Sequence, residues 1–226
     1  MRKGYIMTIT KIKDPGSAIT HFIALVDCML MTTPLLVKVA MVGADGLEVF
    51  SYGVFMTSAV LLYAASTAYH TFDISATVNA LLKKLDHMMI CVLIAGTYTP
   101  ICLTALAGPK GYKLLAIVWS FAVLGMVFKL FWTNCPKWVS SVIYIGTGWL
   151  CVYAMPQIIE TLPLGGFLWL LAGGIFYTVG GVIYALKLKA FDDRFKNFGS
   201  HEIFHLFVMG GTACHYVFMF CYLVKF

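Results

Sequence analysis

Charge is scarce in this chain. Aspartate, glutamate, lysine and arginine together make up 12% of its 226 residues, and only 10 of them are acidic. Soluble globular domains carry roughly 25%, so a water-facing surface of ordinary polarity is excluded. Seven cysteines are present, yet no two form C-x-x-C, and most sit inside apolar runs. They read as small buried hydrophobes and imply no disulfide framework. The formal charge of +6 comes from residues scattered over short loops, with no basic patch or aromatic-interleaved stripe, which argues against a nucleic-acid partner. The N-terminal stretch with Arg2, Lys3, Lys11 and Lys13 runs into a long apolar segment without a short core and small-residue cleavage site. It reads as an anchor that is kept rather than a leader that is removed.

Apolar side chains are plentiful instead, at 61% of the chain. A helix crosses a bilayer with about 20 mostly apolar residues, and seven stretches meet that length: 19–41, 49–70, 86–106, 114–132, 138–157, 164–186 and 201–224. Turn signals separate them, among them Gly43-Ala44-Asp45-Gly46, Gly108-Pro109-Lys110-Gly111 and Leu162-Pro163-Leu164-Gly165-Gly166. The expected fold is all-α and integral to the membrane, a seven-transmembrane helix bundle over 19–226 preceded by a short cytoplasmic segment, 1–18. A cytoplasmic N-terminus puts 12 of the 16 basic residues inside and leaves Lys38, Lys110, Lys113 and Lys225 outside. The positive-inside rule therefore selects N-terminus cytoplasmic and C-terminus outside. Paired glycines (Gly165-Gly166, Gly173-Gly174, Gly180-Gly181, Gly210-Gly211) predict close packing of the last two spans. Pro100 predicts a bend in the outer half of the third.

Ionisable groups inside spans are costly and need a reason. His201 and His205 open the last span as H-E-I-F-H, and their four-residue spacing puts both on one helix face. Ser66 and His70 close the second span as S-T-A-Y-H, and Asp86 opens the third. The orientation brings all of them to the cytoplasmic depth. A histidine pair alone also fits a headgroup region, but a third imidazole at that depth matches the three-histidine form of an open zinc site. Asp86 could be a fourth ligand but is expected beside the metal-bound water as proton acceptor, with a helix cap or a partner for Lys83 or Lys84 as its other reading. Ser66 is expected to bond that water or orient a ligand. Glu202 completes a literal H-E-x-x-H and is a candidate auxiliary base. His87 points about 100° away from Asp86. His21 sits near the same polar region. His215, ten residues past His205, lies too deep to share the ion and reads as bonded to a neighbouring helix. Asp27 requires a partner, and Lys38 can reach the outer interface.

With S-x-x-x-H ending the second span, an aspartate starting the third and H-x-x-x-H starting the seventh, the chain resembles the hemolysin III family, the bacterial branch of the progestin and adipoQ receptor superfamily. The stretch Ser17-Ala18-Ile19-Thr20-His21-Phe22-Ile23 also resembles that family's opening. The resemblance implies zinc on His70, His201 and His205, with Asp86 and Ser66 beside the zinc-bound water, and an inside N-terminus. It implies ceramidase-like hydrolysis by analogy with the eukaryotic receptors. Bacterial members are named for red-cell lysis, and relatives are tied to membrane lipid homeostasis. Glu202 stands where the receptors carry an uncharged residue. The expected function is zinc-dependent hydrolysis of an amide or ester in a membrane lipid or lipid-like substrate, at the plasma membrane (a bacterial inner membrane). Three readings compete: a pore-forming lytic protein with structural zinc, a lipid-sensing receptor, and an intramembrane metalloprotease.

Overall fold

A computed structural model describes residues 12–186 and 199–225. Seven of the basic residues used to orient the chain (Arg2, Lys3, Lys11, Lys187, Lys189, Arg194 and Lys196) lie outside the described residues. Among those described, the ordered elements are all helical: α1 (Pro15–Met41), α2 (Gly46–Thr71), α3 (Ala76–Leu103), α4 (Pro109–Phe131), α5 (Lys137–Gly148), α6 (Met155–Thr161), α7 (Leu164–Leu186) and α8 (Ser200–Cys221).

Local chemistry sets the helix starts. Proline stands at the first turn of α1 and α4, where its missing N–H leaves nothing unpaired. Asp45 accepts from the Glu48 N–H at 2.8 Å while its own N–H donates to Glu48 Oε2 at 3.1 Å, a reciprocal cap on α2. Ser75 accepts from the Val78 N–H at 3.2 Å and starts α3 ten residues before the expected position 86. Asp86 therefore does not open its helix. It sits about three turns into α3, and the capping role weighed for it belongs to Ser75.

Among the described residues, six elements are long and apolar enough to cross a membrane: α1, α2, α4, the α5–α6 rod, α7 and α8. The chain is a multi-pass membrane protein. α3 is longer than any of them at 28 residues but carries Lys83, Lys84 and Asp86 in its first half. From Ala95 to Cys102 every residue of α3 is buried. It packs so closely on α2 that a Cβ at Gly96 would stand 2.2 Å from Ser58 Oγ.

The stretch expected as one span over 138–157 is interrupted. Residues Trp149–Ala154 tighten into a 3₁₀ segment between α5 and α6. Pro156, at the start of α6, has no N–H and its ring opposes the carbonyl four residues back. The Tyr98 hydroxyl repairs the break, donating to the Gly148 carbonyl and accepting from the Cys151 N–H at 2.9 Å.

Packing follows chain order. α1 lies on α2, α2 on α3, α3 on α4, α4 on the α5–α6 rod, that rod on α7, α7 on α8, and α8 returns to α1. This closes a ring around an internal cavity. Close backbone approach seats α7 on α8, as the paired glycines predict: Cβ atoms at Gly180, Gly210 and Gly211 would each stand within 2.8 Å of Phe207, Phe176 and Tyr177 respectively. Lys38 does not simply reach for solvent. Its ammonium donates to the Phe220 carbonyl near the C-terminal end of α8 and sits 4.0 Å from the centre of the Phe220 ring. Asp27 is exposed and has no partner among the described residues.

Candidate metal centre

The last turn of α2 brings His70 to the first two turns of α8. Ligand nitrogens of His70, His201 and His205 all lie within 4.8 Å of one another. His70 Nε2 is 3.3 Å from His201 Nε2. Two nitrogens held at about 2.0–2.1 Å by a tetrahedral ion stand about 3.4 Å apart, so this pair already has the spacing of a coordination edge. The three rings converge, with centroids 5.0 Å (His70–His201), 5.2 Å (His70–His205) and 4.5 Å (His201–His205) apart.

Neighbouring groups fix which nitrogens face inward. Asp14 Oδ2 stands 3.0 Å from His70 Nδ1. A carboxylate accepts, so Nδ1 carries the proton and Nε2 presents its lone pair to the cluster. Thr20 is 3.2 Å from His205 Nδ1, and its hydroxyl already donates to the Gly16 and Ser17 carbonyls at 3.0 Å each. Thr20 is left to accept, so His205 too carries its proton on Nδ1 and turns Nε2 inward. Two of the three imidazoles are thus set in the ligating tautomer, and the donor set suits an ion that favours imidazole.

α1 supplies more than these two groups. Asp14, Ser17, Thr20 and His21 form a polar stripe on its first turns. Ser17 donates to Glu202. His21 Nδ1 pairs with Ser66 Oγ at 2.7 Å, and its ring stacks on His205 with centroids 3.5 Å apart. The backbone just before α1 is fastened to the end of α2: Asp14 N–H donates to the His70 carbonyl at 2.9 Å and Lys13 N–H to the Thr71 carbonyl at 3.3 Å. Lys13 Nζ adds a bond to the Tyr69 carbonyl at 3.1 Å.

The other residues singled out in the sequence divide cleanly. Ser66 and Asp86 are both buried, and both face the internal cavity together with His201 and His205. Asp86 is 3.6 Å from His87, whose Nδ1 donates to the Lys83 carbonyl at 2.8 Å. Glu202 turns away from the cavity: one carboxylate oxygen accepts from Ser17 and the other from the Gly199 N–H at 2.8 Å, capping α8. His215 lies at the far part of the cavity, apart from the cluster. Asp14, Thr20 and Ser17 escape a reading of motifs, because their partners are 56 or 185 residues away. The usable signal is a run of polar residues at helical spacing where an apolar span begins.

The cavity holds about 170 Å³ and runs from Ser66, Asp86 and the α8 histidines, past apolar side chains of α3, α4 and α7, to His215. It is small against the roughly 300–1,000 Å³ of drug-sized pockets.

A family model described as "Haemolysin-III related" matches residues 9–216. The chain is 37% identical over 216 residues to a hemolysin-3 homolog of Bacillus subtilis, covering 94% of this chain and 95% of that protein. It is 38% identical over 201 residues to hemolysin-3 of Bacillus cereus, covering 89% and 87%. An adiponectin receptor protein of Drosophila melanogaster is 27% identical over 186 residues, covering 75% of this chain and 41% of the receptor. No solved structure matches the chain.

Proposed function

The chain belongs to the haemolysin-III-related family, and from that premise we propose that it is a zinc-dependent hydrolase of lipid amide or ester bonds that serves membrane lipid homeostasis. The observation that carries this reading is the convergence of His70, His201 and His205 on one point at the polar end of an otherwise apolar cavity. In this reading α3 is the seventh span, residues 19–226 form a single transmembrane domain, the N-terminus is cytoplasmic and the C-terminus outside. The catalytic face then lies near the cytoplasmic side of a plasma membrane, an inner membrane in a bacterium.

His70, His201 and His205 would hold the zinc. A zinc ion in such a site polarises a carbonyl and acidifies a bound water. The remaining work falls to the chain. Asp86 takes the proton of the attacking water at its carboxylate. Ser66 holds that carboxylate and the water in line, and is itself steadied by His21. Asp14 and Thr20 keep two ligand rings in the productive tautomer. The apolar walls exclude bulk water and receive the acyl chain. Glu202 is occupied by Ser17 and the cap of α8, which weighs against the protease reading that needs it as a base.

The test is metal analysis of protein purified without chelator, wild type beside His205→Ala, followed by a turnover screen of lipid amides and esters. About one zinc per wild-type chain, lost in the variant, and hydrolysis abolished by Asp86→Asn are expected. Wild-type protein free of metal, or turnover unchanged in Asp86→Asn, ends the proposal. The relatives' names keep a lytic reading in view. It predicts dye leakage from liposomes that survives Asp86→Asn.

A further inference from the structure

The paired glycines of α7 divide between two surroundings. Gly173 is buried against α8, where a Cβ would stand 2.3 Å from the His215 ring. Gly174 is half-buried, and a Cβ there would meet nothing within 4 Å. That open space is the internal cavity. Leu170, Leu171, Tyr177, Thr178 and Gly181 all line it, and they share one helix face with Gly174 at its centre. Gly148, at the end of α5, lines the cavity too and would also give a Cβ nothing to touch. The next residue, Trp149, donates to Thr178 Oγ1 at 2.9 Å, and Thr178 donates to the Gly174 carbonyl at 2.7 Å. These bonds hold the two glycines in neighbouring parts of the wall.

Three helices give the cavity's length. It is lined from His201 to His215 on α8, from Asp86 to Ile101 on α3 and from Tyr184 to Phe167 on α7. At 1.5 Å per residue each of these runs covers about 21–25 Å. The volume of about 170 Å³ has room for on the order of a dozen waters. Spread over that length, it is little wider than a single file. Polar groups in the middle of the wall are already spent: Thr97 donates to the Leu93 carbonyl at 2.8 Å, and Trp149 and Thr178 bond as above. Water in such a bore lacks partners, whereas one alkyl chain fills it. An all-trans chain advances about 1.25 Å per carbon from C–C bonds of about 1.5 Å, so the bore takes about 17–20 carbons. Gly173 packs on His215, ten residues past His205, so Gly174 lies about 15 Å from His205. That is about 12 carbons down the chain.

We propose that Gly174, with Gly148 near it, sets the length of chain the cavity accepts, keeping the bore open beyond about 12 carbons so that long acyl chains enter to full depth. This rests on the reading that the cavity receives a lipid chain with its polar head at the histidine cluster. Any larger side chain at either position stands in the bore and shortens the longest chain that fits.

The experiment uses the purified full chain and saturated fatty acids from decanoic to eicosanoic acid, with binding read by displacement of a fluorescent fatty acid. The readout is the ratio of variant to wild-type affinity at each length, in which partition into detergent cancels. Gly174→Leu is expected to bind decanoic acid as wild type does, and hexadecanoic and octadecanoic acids at least about tenfold more weakly, because methylenes beyond the new side chain lose their burial. Gly148→Leu, on a different helix, gives the same break and carries the test should Gly174→Leu fail to fold. Gly53→Leu, on α2 in a separate groove and equally free of neighbours, leaves every length unchanged. A ratio that is flat across lengths in the cavity variants, whether at unity or below it, overturns the proposal. If no acid displaces the probe from wild type, the lipid-chain reading falls and the length limit with it. If wild type binds the series and only the break is missing, the length limit alone falls.

Discussion

At the scale of single residues, the histidine cluster was legible because it obeys local rules. His201 and His205 share a helix face by spacing alone, and the charge bias of the loops puts His70 at their depth. The groups that orient those ligands were not legible, since each acts across the bundle. Asp14 sets the tautomer of His70 from the start of another helix. Asp14→Asn is therefore expected to lower zinc affinity about 10- to 100-fold, measured by competition with a chelator of known affinity. Unchanged affinity would mean that His70 needs no carboxylate behind it. A literal H-E-x-x-H suggested a base, whereas the two carboxylate oxygens of Glu202 cap α8 and hold Ser17. Glu202→Ala should leave zinc content intact and reduce stability by about 0.5–2 kcal/mol, the usual range for loss of a helix cap. Loss of zinc with stability unchanged would return Glu202 to the metal chemistry.

At the scale of elements, hydropathy located the helices but not their breaks. Six of the seven expected stretches coincide with elements long and apolar enough to span. The stretch expected over 138–157 is divided by the 3₁₀ segment Trp149–Ala154. Pro156 was visible in the sequence as a helix breaker. Tyr98, which serves the broken backbone from α3, was not, because nothing local ties it to residues 148–151. In hydrocarbon no water can replace that hydroxyl. Tyr98→Phe is thus expected to leave a carbonyl and an N–H unpaired and to destabilise the protein by about 1–3 kcal/mol. A drop in the thermal midpoint in detergent, with zinc stoichiometry preserved, is the readout. An unchanged midpoint would show that the rod satisfies its own backbone there.

At the scale of the whole molecule, two predictions follow from the ring of helices. α2 and α8 both pack on α1, and a metal held by His70, His201 and His205 would join them directly. Chelation should lower the thermal midpoint of wild type and leave His205→Ala unmoved. Equal shifts in both would point to an effect of the chelator elsewhere. Topology is checked by single cysteines placed in a background without the native ones. Asp45→Cys, in the turn between α1 and α2, is expected to react with a membrane-impermeant reagent added to intact cells. Asp73→Cys, between α2 and α3, is expected to react only after lysis. The reverse pattern would invert the protein and move the histidines to the outer leaflet.

The contacts Ser17–Glu202 and Thr20–His205 each bridge 185 positions of the chain. Among the described helices the ribosome releases α1 first and α8 last. A half-made chain can offer His70 and its aspartate, but the pocket has no second wall until the closing helix arrives. Until then Ser17 and Thr20 of α1 lack their partners, so the cluster is finished only once α8 is made, and a chain truncated before α8 has no means of assembling it.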